Sequence, residues 1–251
     1  MDRRKQRRMS KSAIVYVPIG ILLIVLLTIF GTNGFVKVTE IIVVGATVYS
    51  DEEIIAVSGI LPGDNLLFID VSIAERRILT AMPFINAVEI SRKPPDMIRI
   101  EVKESTALAS VAYQNDVLII DSTGRVLERS GSMPDNLIEI WGISPVDAAE
   151  GTRLRAEQGG EMRLQYMLDV LAALERESIQ DGVSYLDVSN ISQINFGYLG
   201  RFRIVLGGPN DLRQKLTSLN GAIEGIEEIE PTGVTGTFRA EPTGKWIWTP
   251  D

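Results

Sequence analysis

The longest apolar run in the chain extends from Ala13 to Phe30, eighteen positions without a charged side chain. Its length approaches the ~20 residues that a helix needs to cross a bilayer and exceeds the ~7–15 apolar residues of a secretory signal. The segment after it lacks a small-x-small cleavage pattern. We therefore predict a retained transmembrane helix at 13–30, with a buried core helix of a soluble protein as the alternative.

The twelve residues before this run are strongly basic, and they predict its orientation. Positive charge beside a membrane span stays in the cytoplasm. Residues 1–12 are therefore expected to form a cytoplasmic tail, and the chain beyond residue 30 is expected to lie outside the cytoplasm. The residues expected to set this orientation are Arg3, Arg4, Lys5, Arg7, Arg8 and Lys11.

Residues 36–103 predict the order β-α-α-β-β. Two serine–glutamate pairs have the spacing of a capping box, Ser50 with Glu53 and Ser72 with Glu75, and each predicts a helix start. Period-two alternation on both sides of a proline-containing turn predicts a hairpin. Such a unit packs two helices on one face of a three-stranded sheet. The expected elements are a strand at 36–44, helices that follow Ser50 and Ser72, and hairpin strands at 84–92 and 97–103.

The remaining residues predict a second α+β domain with a mostly antiparallel sheet and two helices. Leucines and a methionine at helical spacing predict an amphipathic helix at 161–177, whose apolar stripe fits either core packing or a cofactor or partner groove. A second helix is predicted to start at Gly208–Pro209. The loop 144–160 is expected to be irregular. Strands are predicted at 111–113, 117–120, 125–127, 137–141, 183–188, 191–196 and 201–206, with a final hairpin of 233–240 and 245–248.

Composition excludes several classes of chemistry. The chain has no histidine and no cysteine, so it cannot form a His-dependent nucleophile pair or a His- or Cys-ligated zinc site. The basic tail holds six of the 25 Lys/Arg and one of the 33 Asp/Glu, which leaves 19 basic and 32 acidic residues in the remainder. Such an acidic surface repels nucleic acid. We therefore expect no nucleic-acid partner, metal, cofactor or small-molecule substrate.

Paired carboxylates are the one catalytic possibility that this composition leaves. Asp64 with Asp70, or Glu101 with Glu104, are the candidate pairs. Acidic residues at strand ends and helix starts more often cap helices or face solvent, so we expect no catalytic residues.

The segment 31–105 resembles a POTRA domain of the bacterial cell-division family FtsQ/DivIB. The resemblance rests on Gly45, the segment 59–67, the Pro83-Phe84-Ile85 start of the second strand and the strand end at 102–104. These features follow a basic-tailed single span in the same order as in that family. The rest of the chain, 106–251, resembles the second, β domain of the family through Asp121 to Val126, Leu137 to Gly142, and Ile204 to Leu216.

This resemblance implies a non-enzymatic, single-pass type II membrane scaffold at the division septum. Its expected partners are FtsB/DivIC-type and FtsL-type division proteins, and its expected role is to help regulate septal wall synthesis. The last strands of the β domain would accept a strand from the FtsB/DivIC partner. Thr237 and Ala240 depart from the family pattern there. The positions expected to take part are Phe238, Arg239, Gly244, Trp246 and Trp248.

The two tryptophans of the last six residues allow two interpretations. In one, a tryptophan covers the edge of the core and the other lies over the surface. In the other, they belong to a sheet edge that accepts a strand. The second predicts that a charge or a proline at Phe238 abolishes partner co-purification while the fold stays intact.

Two other classes of protein are weighed against this scaffold. An outer-membrane assembly factor would need a long series of barrel strands after the POTRA domain, and two helices interrupt the sequence there. A membrane-anchored wall hydrolase would need one of the carboxylate pairs named above to lie in a cleft.

Overall fold

A computed structural model describes residues 16–26, 28, 36–229, 233–241 and 244–251 of the protein. The first helix, α1, comprises residues 16–26 and 28. No helix within these described ranges is both long enough and apolar enough to cross a membrane. The transmembrane helix predicted at 13–30 is thus not found, although residues 13–15, 27, 29 and 30 lie outside the described residues. All six basic residues predicted to orient it also lie outside them.

The chain divides into two compact units. One consists of Met1–Ile78 and Ala87–Lys103, and the other of Leu79–Asn86 and Glu104–Asp251. The domain bounds 31–105 and 106–251 stay a prediction.

The first α+β segment has the predicted β-α-α-β-β order. Its three strands lie in the order β1-β3-β2, with β1 parallel to β3. Ile54 of the helix Asp51–Ser58 and Ile78 of the helix Val71–Ala81 are fully buried, as are Ile98 and Ile100 of β3. The elements are β1 (Glu40–Val44), α2 (Asp51–Ser58), α3 (Val71–Ala81), β2 (Ile85–Lys93) and β3 (Met97–Glu104).

The first predicted capping box is confirmed and the second is wrong. At α2, the Ser50 hydroxyl accepts a hydrogen bond from the Glu53 amide, and the Glu53 carboxylate accepts one from the Ser50 amide. At α3, the carboxylate of Asp70, two residues before Ser72, accepts the Ile73 amide. Glu75 instead accepts the amide of Ile90 on β2, at 3.0 Å. Ser72 and Glu75 therefore do not form the helix cap.

The second α+β segment is built on a nine-stranded sheet. Its strand order is β14-β13-β12-β11-β10-β7-β4-β5-β6, and most of the neighbouring pairs are antiparallel. The parallel pairs are β12 with β13, β7 with β10, and β4 with β7. Its strands are β4 (Ala109–Tyr113), β5 (Asp116–Ile120), β6 (Val126–Ser130), β7 (Ile138–Trp141), β10 (Val183–Asp187), β11 (Ile194–Tyr198), β12 (Phe202–Gly207), β13 (Gly236–Ala240) and β14 (Trp246–Pro250).

Two helices pack against one face of this sheet and enclose a single core. They are α4 (Glu161–Arg176) and α5 (Leu212–Ile229), and a short 3-10 helix follows α4 at Gln180–Gly182. The apolar stripe of α4 lies in the core, with Met167, Leu171 and Leu174 fully buried. It is therefore a packing surface for the sheet. The start of α5 at Leu212 is later than the predicted Gly208.

The loop 144–160, predicted to be irregular, contains a two-stranded sheet of β8 (Pro145–Val146) and β9 (Arg155–Ala156). Between these strands the loop turns back along β6. Because β6 is one of the two outer strands of the nine-stranded sheet, this segment lies along one edge of that sheet.

Candidate functional site

The two outer edges of the nine-stranded sheet differ in whether other backbone groups cover them. At the β6 edge, the loop supplies backbone partners: the Gly151 amide donates to the Val126 carbonyl at 2.7 Å, and the Val126 amide donates to the Thr152 carbonyl at 2.8 Å. The Arg129 amide donates to the Glu150 carboxylate. An exposed strand edge promotes unwanted pairing, and covering it with a loop prevents this. The β6 edge is therefore closed.

The opposite edge is β14, which pairs only with β13 within the described part of the chain. β13 and β14 are antiparallel, with Phe238 opposite Trp248 and Ala240 opposite Trp246. This is the C-terminal hairpin that the sequence predicts. Its register decides which backbone groups remain available for a further strand.

The hydrogen bonds at the two ends of the hairpin define this pattern. The Glu241 amide donates to the Lys245 carbonyl at 2.8 Å, and the Asp251 amide donates to the Thr235 carbonyl at 3.3 Å. Hydrogen-bonded and non-hydrogen-bonded pairs alternate along an antiparallel ladder. Odd-numbered residues of β14 therefore bond to β13, and even-numbered residues direct their backbone groups away from it. The Gly236 amide, which donates to the Arg201 carbonyl on the other side of β13, fits this alternation.

The outer edge thus presents the N–H and C=O groups of Trp246 and Trp248, followed by the carbonyl of Pro250. Proline has no backbone N–H. A strand added to β14 would therefore find two donors, and Pro250 ends the run of donors. The edge is short, which limits promiscuous pairing.

The side chains of both tryptophans are directed into the domain. The ring centroids of Trp248 and Phe238 are 4.8 Å apart, and those of Trp248 and Phe202 are 6.0 Å apart. Trp246 lies 6.5 Å from Phe238, and its indole N–H donates to the Ser218 hydroxyl of α5 at 3.0 Å. Both indoles are half-buried and pack against the core. Neither tryptophan lies loose over the surface, so the interpretation with one surface tryptophan is wrong.

Phe238 occupies the centre of this aromatic cluster. Only 1 % of its surface is exposed. A charge or proline at this position would disrupt the core and would not leave the fold intact. Phe238 therefore supports the edge from within and is a poor probe of partner contact.

Arg239 and Gly244 have different surroundings. Arg239 is exposed and lies opposite Ile247, on the sheet face that carries neither α4 nor α5. Gly244 has φ +79°, and an added Cβ would lie 2.6 Å from the Gln214 amide nitrogen of α5. The turn thus depends on a glycine, whereas Arg239 is a surface group beside the free edge.

Lys215 is a feature that the sequence pattern does not reveal. It lies in α5 and is buried, and its ammonium donates to the carbonyls of Leu206 at 2.8 Å and Gly208 at 3.0 Å. Burial lowers the pKa of Lys215, and the Asp211 carboxylate partly offsets this effect. Its role is to hold the end of β12, the strand next to the hairpin, against α5. In the sequence, only the resemblance to the family over Ile204 to Leu216 includes this position.

The candidate carboxylate pairs have structural partners. Asp64 accepts the Leu61 amide at 2.9 Å, Asp70 caps α3, and Glu101 pairs with Arg99. Within the described ranges, no three Asp or Glu side chains are grouped so as to hold a metal ion.

Comparison with known proteins defines the class first. Residues 36–105 match the family model described as "POTRA domain, FtsQ-type". The first α+β segment is thus a POTRA domain of the kind found in FtsQ-type proteins.

Full-length relatives extend this assignment. The chain is 26 % identical over 210 residues to a "Cell division protein DivIB" of Clostridium tetani, covering 83 % of this chain and 78 % of the relative. It is 26 % identical over 223 residues to the DivIB protein of Clostridium acetobutylicum, covering 87 % and 86 %. It is 27 % identical over 176 residues to a "Cell division protein FtsQ" of Corynebacterium glutamicum, covering 68 % and 72 %. Along most of its length, the chain is thus similar to cell-division proteins named DivIB and FtsQ.

Proposed function

We propose that this protein is a non-enzymatic, membrane-anchored scaffold of the bacterial division machinery. In this proposal, the β14 edge accepts a strand from an FtsB/DivIC-type partner, an FtsL-type protein joins the same assembly, and the complex acts in septal wall synthesis. The observation that carries the proposal is the pair of outward backbone N–H groups at Trp246 and Trp248. Strand addition draws its affinity from such main-chain groups.

The contrast between the two sheet edges supports this proposal. The protein covers β6 with the segment 149–153, while β14 has no such cover among the described residues. The aromatic cluster beneath β14 and the Trp246–Ser218 hydrogen bond hold the edge strand in place before a partner arrives. A preorganised edge does not have to be ordered on binding, which lowers the entropic cost of association.

A shallow groove of about 590 Å³ lies on the outer surface of α5, lined by Gln214, Thr217 and Ser218 among others. Ser218 is the residue that binds the Trp246 indole, so the groove runs beside β14. The inward-facing side chains of an added strand would lie over this groove. Pockets for alternate side chains are what provides specificity in strand addition.

The membrane anchor is part of the proposal. It is supported by the uncharged run at 13–30, the basic residues of the tail and the helical conformation of residues 16–26. The apolar side chains of this helix are largely exposed, with 63 % of Ile24 and 58 % of Leu22 accessible. An exposed helix of this composition is suited to a lipid environment. The proposal places the tail in the cytoplasm and the protein at the septum.

A matched pair of substitutions tests the edge. Trp248→Ala and Trp248→Pro both remove the indole, but only the proline variant also removes the outward N–H. Proline is tolerated on an edge strand when its missing N–H faces outward. We expect the alanine variant to retain partner co-purification at a reduced level and the proline variant to lose it.

Circular dichroism and the unfolding midpoint of the two variants serve as the fold control. Equal co-purification of two folded variants would show that the outward N–H does not contribute, and strand addition at β14 would have to be abandoned.

A further inference from the structure

One loop of the POTRA domain exposes an unusual amount of apolar surface. The loop 61–68 joins α2 to α3, and 63 % of Leu61, 52 % of Leu67 and 82 % of Phe68 are accessible. Single exposed apolar residues need no explanation, but a contiguous exposed group indicates an interaction surface.

The loop has a defined conformation. The Asp64 carboxylate accepts the Leu61 amide at 2.9 Å, and the Phe68 amide donates to the Asn65 carbonyl at 3.0 Å. Leu66, between the exposed residues, is fully buried and fastens the loop to the core. Leu61, Leu67 and Phe68 therefore belong to an ordered loop, and their exposure does not result from local unfolding.

The loop is also tied directly to the start of the domain. The Gly63 amide donates to the Val38 carbonyl, and the Leu66 amide donates to the Val36 carbonyl, both at 2.8 Å. The predicted membrane span ends at Phe30, six residues before Val36. Six residues reach at most about 21 Å. The loop is thus within reach of the headgroup layer, which extends roughly 5–8 Å beyond the hydrocarbon on each side.

Basic side chains do not outnumber acidic ones at this end of the domain. Exposed Lys37 lies three residues before β1, and exposed Arg92 and Lys93 lie at the end of β2. The Arg92 guanidinium donates to the Ile69 carbonyl at 2.6 Å. Opposing them are the carboxylates of Asp64, Asp70 and Asp96, each of which accepts a local hydrogen bond. Since the cations do not exceed the anions, attraction to acidic lipid contributes little, and apolar insertion is the relevant interaction.

We propose that the loop 61–68 docks on the outer surface of the membrane, with Leu61, Leu67 and Phe68 inserted into the interface between headgroups and acyl chains. Amphipathic segments bind membranes in this way, with a strength that follows the apolar area buried. The proposal rests on the membrane anchor of the proposed function. Docking would fix the orientation of the POTRA domain relative to the bilayer.

The test uses the full-length chain in phosphatidylcholine vesicles. The absence of cysteine allows a single fluorescent label at Phe68→Cys, Val25→Cys or Val48→Cys. Val25 lies in the predicted span. Val48 is a matched control, because 53 % of it is exposed and it lies beyond the far end of β1. Lipids that carry a quencher at a shallow or a deep acyl position report the depth of each label.

We expect a loss of emission at position 25 with the deep quencher, a loss at position 68 with the shallow quencher, and no loss at position 48. Emission at 68 that matches position 48 while position 25 is quenched would overturn docking and leave the anchor intact. An unquenched label at position 25 would overturn the anchor and the docking that rests on it. An unquenched but blue-shifted label at 68 would mean that protein covers the loop, which also contradicts the proposal.

A second set of variants confirms that the side chains themselves insert. With the label at Leu61→Cys, the double substitution Leu67→Ser and Phe68→Ser should abolish shallow quenching, and Val48→Ser should not. All these positions are exposed, so the substitutions leave the core unchanged. Persistent quenching in the double variant would show that the loop approaches the membrane without apolar insertion.

Discussion

Replacing Phe238 by alanine tests whether the aromatic cluster builds the β14 edge. Phe238 is almost fully buried, and its ring contacts those of Phe202, Trp246 and Trp248. Removing a buried phenylalanine costs about 3–5 kcal/mol through lost transfer free energy and the cavity left behind. Each aromatic pair adds ~0.5–1.5 kcal/mol beyond area burial. Because these contributions overlap, we expect a loss of about 4 kcal/mol.

Urea unfolding monitored by tryptophan fluorescence measures this loss. All three tryptophans, Trp141, Trp246 and Trp248, lie in the second compact unit, so the signal reports the unfolding of that unit. Phe238→Leu is the matched control, since it retains most of the apolar volume and should cost only about 1–2 kcal/mol. A loss below ~1.5 kcal/mol for Phe238→Ala, or equal losses in both variants, would show that the Phe238 ring does not hold the β14 edge.

Three further predictions concern single contacts. Gly45→Ala should destabilise the POTRA domain by at least about 2 kcal/mol in urea unfolding, because Gly45 has φ +93° and a Cβ would collide with the Val102 carbonyl. As a control, Gly131→Ala should be tolerated, because Gly131 has a negative φ and no atom lies near its added Cβ. Hydrogen bonds from Ser50 lower the pKa of Glu53 in the folded state. The stabilisation they give is therefore present above pH 4.5 and is lost as the pH falls through the pKa of Glu53 in the folded state. Glu53→Gln should remove this part of the acid dependence of stability. Burial lowers the pKa of Lys215, so the folded state binds fewer protons below pH 10.5. Stability should therefore rise as an alkaline pH approaches 10 in the native protein but not in Lys215→Met.

The contradicting results are equally specific. A mild effect of Gly45→Ala would mean that the turn after β1 adjusts freely. If stability depends on acidic pH in the same way in Glu53→Gln as in the native protein, the capping box does not contribute to that dependence. For Lys215 the measurement stays below pH 10, because burial raises the pKa of Tyr198 and stability then falls as the pH rises further. A parallel pH profile in Lys215→Met would contradict the assigned cause.

Local signals in the sequence were sufficient where the interaction is itself local. The Ser50–Glu53 box joins residues three apart, and the structure confirms it. The second box failed because three polar residues, Asp70, Ser72 and Glu75, compete near one helix start. Asp70 is the cap, since Glu75 is drawn to Ile90 on a strand fifteen residues away. That choice depends on tertiary packing, which spacing does not encode.

In the candidate site, too, only the features that depend on local interactions could be predicted from the sequence. The final hairpin and its tryptophans could be predicted, because its two strands are neighbours in the sequence. The burial of Phe238 could not, because it depends on β12 lying beside β13, and these strands are separated in sequence by all of α5. The covering of β6 left no pattern at all, since most of its bonds come from backbone groups of the loop. Which strand lies at an edge depends on the order of all the strands in the sheet, and local sequence patterns do not give that order.

Hydrogen exchange at individual amides tests strand addition at β14 most directly. In the free protein, the amides of Ile247 and Thr249 should exchange slowly because they bond to β13, whereas those of Trp246 and Trp248 should exchange fast. On addition of an FtsB/DivIC-type partner, strand addition should protect the amides of Trp246 and Trp248 from exchange. Binding that leaves these two amides unprotected would contradict it.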